Sequence, residues 1–217
     1  MMPVPITERP DEPAPPETVI LVHGLWMTGM ELRWLGRRLK RCGFAVRYFR
    51  YPSWRGCFTD AALRLSEAVA RADGERVHLA GHSLGGMVIA KMLELAPTHK
   101  IHRIALLGSP IRGNAVAGSL ARYGVGRFIL GPVAREGIIE KRPSWPAGRE
   151  LLVVAGTLPL GFGVFFGLSF PHDGTVAMAE TEVPGAQTLL VRASHMGMLI
   201  SSRLAAGLCA FFRTGRI

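Results

Sequence analysis

Arg76-Val77-His78-Leu79-Ala80-Gly81-His82-Ser83-Leu84-Gly85-Gly86-Met87-Val88-Ile89-Ala90-Lys91-Met92-Leu93-Glu94-Leu95-Ala96-Pro97 passes from one structural period to another around a single serine. The run before Ser83 is short, apolar and bounded by Gly74 and Gly81, which predicts a buried strand. The run after it is helical in pattern and is stopped by Pro97. A tight strand-to-helix elbow brings backbone against backbone, so a Cβ two residues either side of its apex would collide with the neighbouring strand or helix. Gly81 and Gly85 remove those Cβ atoms. The hydroxyl of Ser83 is thereby presented at the end of a strand, as a candidate nucleophile rather than a simple helix-capping serine.

Working outward, the chain from Thr18 onward alternates short apolar runs with helical patterns, which predicts βαβ units. Strands are expected near Val19–Val22, Ala45–Tyr51, Val77–Ala80, Arg103–Leu107, Leu151–Ala155 and Thr188–Arg192. Helices are expected near Glu31–Arg41, Asp60–Ala72, Leu84–Ala96 and Met196–Phe212. The fold class is therefore α/β, a mostly parallel sheet of about six strands with helices on both faces. Residues 110–149 interrupt the alternation like an insertion, with a weak helical pattern only around Val133–Glu140.

A chain of 217 residues with 48% hydrophobic residues can bury a sizeable core, and nothing in its length calls for more than one domain, at 18–217. Residues 1–17 carry six prolines and four acidic residues without an apolar run. They read as an arm, neither a secretory signal nor an anchor. Three cysteines are too few for a disulfide framework, which favours a reducing, cytoplasmic setting. The net charge of +10 is concentrated between Arg33 and Arg55. There Arg33, Arg37, Lys40 and Arg41 fall opposite Leu32, Leu35 and Leu39, as on the solvated face of an amphipathic helix, and no nucleic-acid motif accompanies them. Nucleic acid is not expected as a partner; the charge leaves weak contact with an anionic membrane surface open.

Serine is a poor nucleophile until a base removes its proton, and that base needs a third group to hold its tautomer. Of the four aspartates, Asp11 lies in the arm, Asp60 is expected to cap a helix and Asp73 to end it, which leaves Asp173, in Pro171-His172-Asp173-Gly174, as the natural acid. Glu180 and Glu182 are the alternatives should Asp173 be only a turn residue. Beyond Asp173 there is one histidine, His195, at the tip of the last expected strand, and it is the natural base. The order Ser83, Asp173, His195 is that expected when each follows the carboxyl end of its strand. The backbone N–H of Leu84 would donate to a developing oxyanion. The second donor would be the N–H of Leu25, because Gly24 lets the loop after the first strand fold back towards Ser83. His23 and His82 read as scaffold residues. His172 belongs to no ligand-spaced cluster, so neither a metal nor another cofactor is expected.

Together His23-Gly24, Gly81-His82-Ser83-Leu84-Gly85-Gly86, Asp173-Gly174 and His195 resemble the α/β-hydrolase family in its lipase and esterase branch, over nearly the whole chain after Thr18. The Gly-His-Ser-Leu-Gly-Gly form is similar to that of small bacterial lipases and of glycolipid deacylase-like proteins. The resemblance implies a Ser83, Asp173, His195 triad with oxyanion donors at Leu25 and Leu84. It also implies two departures: the family's first two strands are absent, and the Thr157–Asp173 loop is longer than usual.

That loop, at residues 158–170, is uncharged, rich in phenylalanine and too short to cross a bilayer as a helix. Its phenylalanines either pack on the body or meet an acyl chain. Trp26, Phe162, Phe165 and Phe166 are the candidate substrate contacts. The expected activity is hydrolysis of a small ester with an apolar acyl group through an acyl-enzyme. A thioesterase or acyltransferase could use the same triad, and a binding protein could share the fold without using it.

Overall fold

The computed structural model describes residues 17–122, 124–140, 145, 148–161, 163 and 167–217. Six strands, β1 (Thr18–Val22), β2 (Ala45–Phe49), β3 (Val77–His82), β4 (Ile101–Leu107), β5 (Glu150–Gly156) and β6 (Gln187–Val191), form one sheet in the order β2-β1-β3-β4-β5-β6. Every pairing is parallel. Parallel neighbours need crossovers, and these are supplied by α1 (Arg33–Arg41), α2 (Phe58–Ala70), α3 (Leu84–Leu95), α4 (Ala115–Ala121), α5 (Gly124–Ala134) and α6 (Met178–Thr181), with α7 (Ser202–Thr214) following β6.

Alternation along the strands divides the core into two layers. In β1, Ile20 and Val22 join α2 and α3 on one face, whereas Val19 and Leu21 join α1 and α7 on the other. The amphipathic reading of α1 holds: Leu35 and Leu39 are buried while Arg33, Arg37, Lys40 and Arg41 face outward. Winding runs from β1 to β2 in one direction and from β3 to β6 in the other. The two directions part between β1 and β3, the switch point at whose carboxyl ends sheets of this kind bind their ligands. The loop carrying Gly24 and the elbow carrying Ser83 both arise there.

Several expectations need correction. Helix α2 starts at Phe58, so Asp60 lies inside the first turn rather than at the cap; the N-cap is Cys57, which offers no side-chain cap. A carboxylate oxygen of Glu136 instead accepts from the Phe58 N–H at 3.4 Å. The expected last helix divides into a 3₁₀ turn over Gly197–Ile200 and α7, where the Ser201 hydroxyl accepts from the Leu204 N–H at 3.2 Å. Among the described residues of 110–149 there are two helices, α4 and α5, followed by a π-helical turn over Arg135–Glu140.

Cys42, at the end of α1, and Cys209, in α7, form a disulfide. The cysteine count therefore does not argue for a reducing compartment. Among the described residues no helix is long and apolar enough to cross a membrane.

Candidate active site

Ser83 sits between β3 and α3 with φ 53° and ψ −122°, a conformation that costs an L-residue about 1–3 kcal/mol and persists only where its surroundings enforce it. The enforcement is visible on both sides. A Cβ at Gly81 would lie 2.6 Å from the Gly86 nitrogen, and one at Gly85 would lie 2.4 Å from the Val22 carbonyl oxygen. Below the elbow the Ser83 N–H donates to the Leu107 carbonyl at 2.9 Å, tying its backbone to β4. The third elbow glycine, Gly86, makes room for Ser109, whose hydroxyl donates to the Gly81 carbonyl at 3.2 Å.

The structure brings His195 and Asp173 together. His195 Nδ1 donates to Asp173 Oδ2 at 2.6 Å, and the His195 N–H donates to the Asp173 carbonyl at 2.9 Å. The other carboxylate oxygen, Oδ1, accepts from the N–H groups of Val176 at 2.7 Å and Thr175 at 2.9 Å. Asp173 is 1% exposed, and burial alone would raise its pKa. The His195 imidazole and the two N–H donors outweigh that, holding the carboxyl below its ordinary range. An ionised acid beside Nδ1–H leaves Nε2 of His195 free to take a proton. The alternative acids are engaged elsewhere. Glu180 accepts from the Ala115 N–H at 2.6 Å and the Ala177 N–H at 2.9 Å, and Glu182 pairs with Arg112 at 3.2 Å.

His82 joins the two halves of this arrangement. Its ring lies 4.6 Å from that of His195, and it directly precedes Ser83. On the other side of the elbow, a Cβ at Gly24 would stand 3.1 Å from Ser83 Cβ, so the first loop presses against Ser83. That loop is held from below. The Tyr51 N–H donates to His23 Nε2 at 3.4 Å, His23 Nδ1 donates to the Gly24 carbonyl at 2.9 Å, and the Tyr51 hydroxyl donates to the His23 carbonyl at 3.0 Å. Burial lowers the His23 pKa, which keeps the neutral tautomer that this chain of bonds requires. Leu25 follows Gly24 in the same loop. Leu84 is the first residue of α3, where a backbone N–H has no partner within the helix.

Trp26 is 61% exposed, with φ 58°, and its indole N–H donates to the Ile129 carbonyl at 3.2 Å. Phe162, Phe165 and Phe166 lie outside the described residues. The described part of their loop packs on the residues flanking Asp173: the Gly163 N–H donates to the Gly174 carbonyl at 2.7 Å, the Leu160 backbone lies against Gly174, and the Phe170 ring stands 4.6 Å from that of His172.

Two residues of the site escaped the sequence reading. A Cβ at Gly108 would lie 3.2 Å from both Asp173 Oδ2 and His195 Cε1, and one at Gly156 would lie 2.7 Å from Asp173 Cβ. Both glycines close an apolar strand run, Leu107-Gly108 and Ala155-Gly156, which is the signal that could have found them.

The model of the alpha/beta hydrolase family matches residues 19–211. Among solved structures, the chain is similar to a metagenomic carboxyl esterase, at 19% identity and TM-score 0.65, over 96% of this chain and 79% of that one. A pyrethroid hydrolase from Sphingobium faniae shares 17% identity at TM-score 0.63, over 92% and 98% of the two chains. A carboxylesterase from Bacillus subtilis shares 18% at TM-score 0.58, over 95% and 86%. At these identities the likeness is one of fold. No curated protein sequence matches significantly.

Proposed function

The chain belongs to the alpha/beta hydrolase family, and from that premise we propose that it hydrolyses carboxylic esters with an apolar, lipid-like acyl group through a covalent serine intermediate. The reading rests on the 2.6 Å His195–Asp173 contact together with a serine held at φ 53° in a strand-to-helix elbow. His195 Nε2 takes the proton of Ser83 Oγ as the oxygen attacks the ester carbonyl. The oxyanion is met by the N–H groups of Leu84 and Leu25, the first reinforced by the positive end of α3. Collapse breaks the carbon–oxygen bond to the alcohol, which leaves with the proton from His195. Water then repeats the sequence on the acyl-enzyme and releases the acid and Ser83.

Ester chemistry is supported by the carboxyl esterase and carboxylesterase among the structural relatives. An apolar acyl group is supported by the similarity of the elbow motif to that of small bacterial lipases and by exposed apolar side chains close to the site. Met196 adjoins His195, the backbone of Leu160 lies against Gly174, and the Phe170 ring stands 4.6 Å from that of His172; all three residues are exposed, as is Trp26. Contact between these side chains and a membrane surface is part of the same reading.

The test is a fluorophosphonate probe together with p-nitrophenyl esters and acyl thioesters of graded chain length. Labelling of the wild type and not of Ser83→Ala, with medium-chain oxygen esters the best substrates, is the expected result. Absence of labelling in folded protein would reject the enzyme in favour of a binding protein, and preference for thioesters would change the substrate class.

A further inference from the structure

The opposite end of the sheet carries a second cluster that the proposed chemistry does not use. Glu17 precedes β1, His78 lies near the start of β3, and His102 near the start of β4. One oxygen of Glu17 and one ring nitrogen of each histidine all lie within 4.8 Å of one another. His78, in β3, lies five positions before Ser83, about 16 Å at the usual strand rise.

We propose that Glu17, His78 and His102 form a zinc site that clips together the entry to β1 and the starts of β3 and β4. The donor set comes first: two imidazole nitrogens and a carboxylate oxygen suit zinc and its first-row neighbours, not magnesium or calcium. Three protein ligands leave a fourth, tetrahedral position for water. The cluster has room for one, since Glu17 and His102 are only partly buried.

The second observation is that neither ring is fully satisfied by the protein. His78 is fully buried, packed between Phe44 and Phe212 with ring centroids at 5.8 and 4.8 Å, and its Nδ1 has no hydrogen-bond partner. The Nδ1 of His102, whose ring centroid lies 5.4 Å away, has none either. An unspent polar atom in such a place costs the fold the desolvation of that group. His78 meets the Glu17 carboxylate through Nε2 instead, at 3.0 Å, and a ring nitrogen of His102 lies within 4.8 Å of both, so the three side chains can share one ion.

The surrounding charges permit a cation. Arg76 approaches Glu17 through Oε1 at 3.3 Å, whereas Oε2 faces His78 Nε2 at 3.0 Å and is the oxygen turned into the cluster. Arg103 is engaged by Glu150, which offsets its charge, and donates to the Phe212 carbonyl at 2.8 Å. Closing the ligand atoms to about 2.0–2.2 Å from one ion requires small rotations of Glu17 and His102, the two side chains with solvent on one side.

The experiment uses the full chain, stripped with a chelator and titrated with Zn²⁺ against a competing fluorescent chelator, and with Co²⁺ to read its visible absorption. One equivalent is expected to bind. His102→Ala and Glu17→Gln, at the two partly buried positions, are expected to weaken binding by about a hundredfold or more while leaving ester hydrolysis by the stripped protein unchanged. The proposal is overturned if the folded wild type takes up no stoichiometric ion. It is equally overturned if both variants bind as the wild type does and the ion is lost instead from His172→Ala or His195→Ala, which would place it at the other end of the sheet.

Discussion

The Nε2–H of His82 donates to the backbone carbonyl of His195 at 3.0 Å, so the residue immediately before the elbow serine grips the loop that bears the imidazole. His82 is 1% exposed, and burial, with His195 adding to it, lowers its pKa to about 3. It therefore stays neutral, with its proton on the nitrogen that the carbonyl needs.

A buried neutral histidine makes stability depend on pH in a definite direction. Below about pH 6.5 the unfolded chain takes up a proton at this position, whereas the folded chain resists until about pH 3. Stability is full above pH 6.5 and is expected to fall by about 1.4 kcal/mol per pH unit below it from His82 alone. His23 and His78, also lowered by burial, act in the same direction. Thermal melts at pH 7.5, 6 and 5 check this; a Tm that does not change over the range would contradict a neutral, buried His82.

Loss of either member of the His195–Asp173 pair is expected to cost about 10⁴-fold in kcat, and the double variant little more, because the residues act as a unit. Kinetics of Asp173→Asn, His195→Ala and their combination on one ester decide the matter. Independent, multiplicative losses would mean that the pair is not catalytic.

The first loop should matter through its backbone. With only 3.1 Å between a Cβ at Gly24 and Ser83 Cβ, Gly24→Val is expected to displace the loop and lower kcat by two orders of magnitude or more, on the scale of a lost oxyanion donor, about 10²–10³-fold. Leu25→Ala keeps the N–H and should retain most of the rate. Similar kcat values for the two variants would remove this loop from the oxyanion site.

Two glycines offer opposite outcomes for the same change. At Gly156 an added Cβ meets the Ala193 carbonyl oxygen at 2.6 Å and Asp173 Cβ at 2.7 Å, so Gly156→Ala should lower both Tm and activity. At Gly118, in α4, the Cβ meets nothing within 4 Å, and Gly118→Ala should raise stability by about 0.5–1 kcal/mol without touching the rate. Calorimetry and an ester assay on the same preparations separate the two.

The parallel sheet and the elbow were legible because their causes are local: a period that changes at Ser83 and glycines where a Cβ would strike backbone. Asp173 and His195 were legible by scarcity, there being few late residues of the right chemistry. What stayed hidden depends on partners distant in sequence. The start of α2 rests on Glu136, 78 residues away, instead of a capping side chain of its own. Helix α5 contains Pro132 and a kink at Gly131, with φ 67°, which erase its periodicity. The Glu17, His78 and His102 cluster comes from the entrances to three strands and has no spacing for a motif to register. The Cys42–Cys209 pair spans 167 residues, and a count of cysteines says nothing about distance.

That cross-link has a topological consequence. Ser83, Asp173 and His195 all lie between its two ends, so the candidate hydrolytic machinery is carried on a closed covalent ring with the chain termini as tails outside it. A protease that cuts the ring once, for example in the stretch around α4 and α5, releases no fragment. It leaves a single two-chain molecule in which the half bearing Ser83 remains fastened to the half bearing His195, and only a reductant breaks the last covalent link.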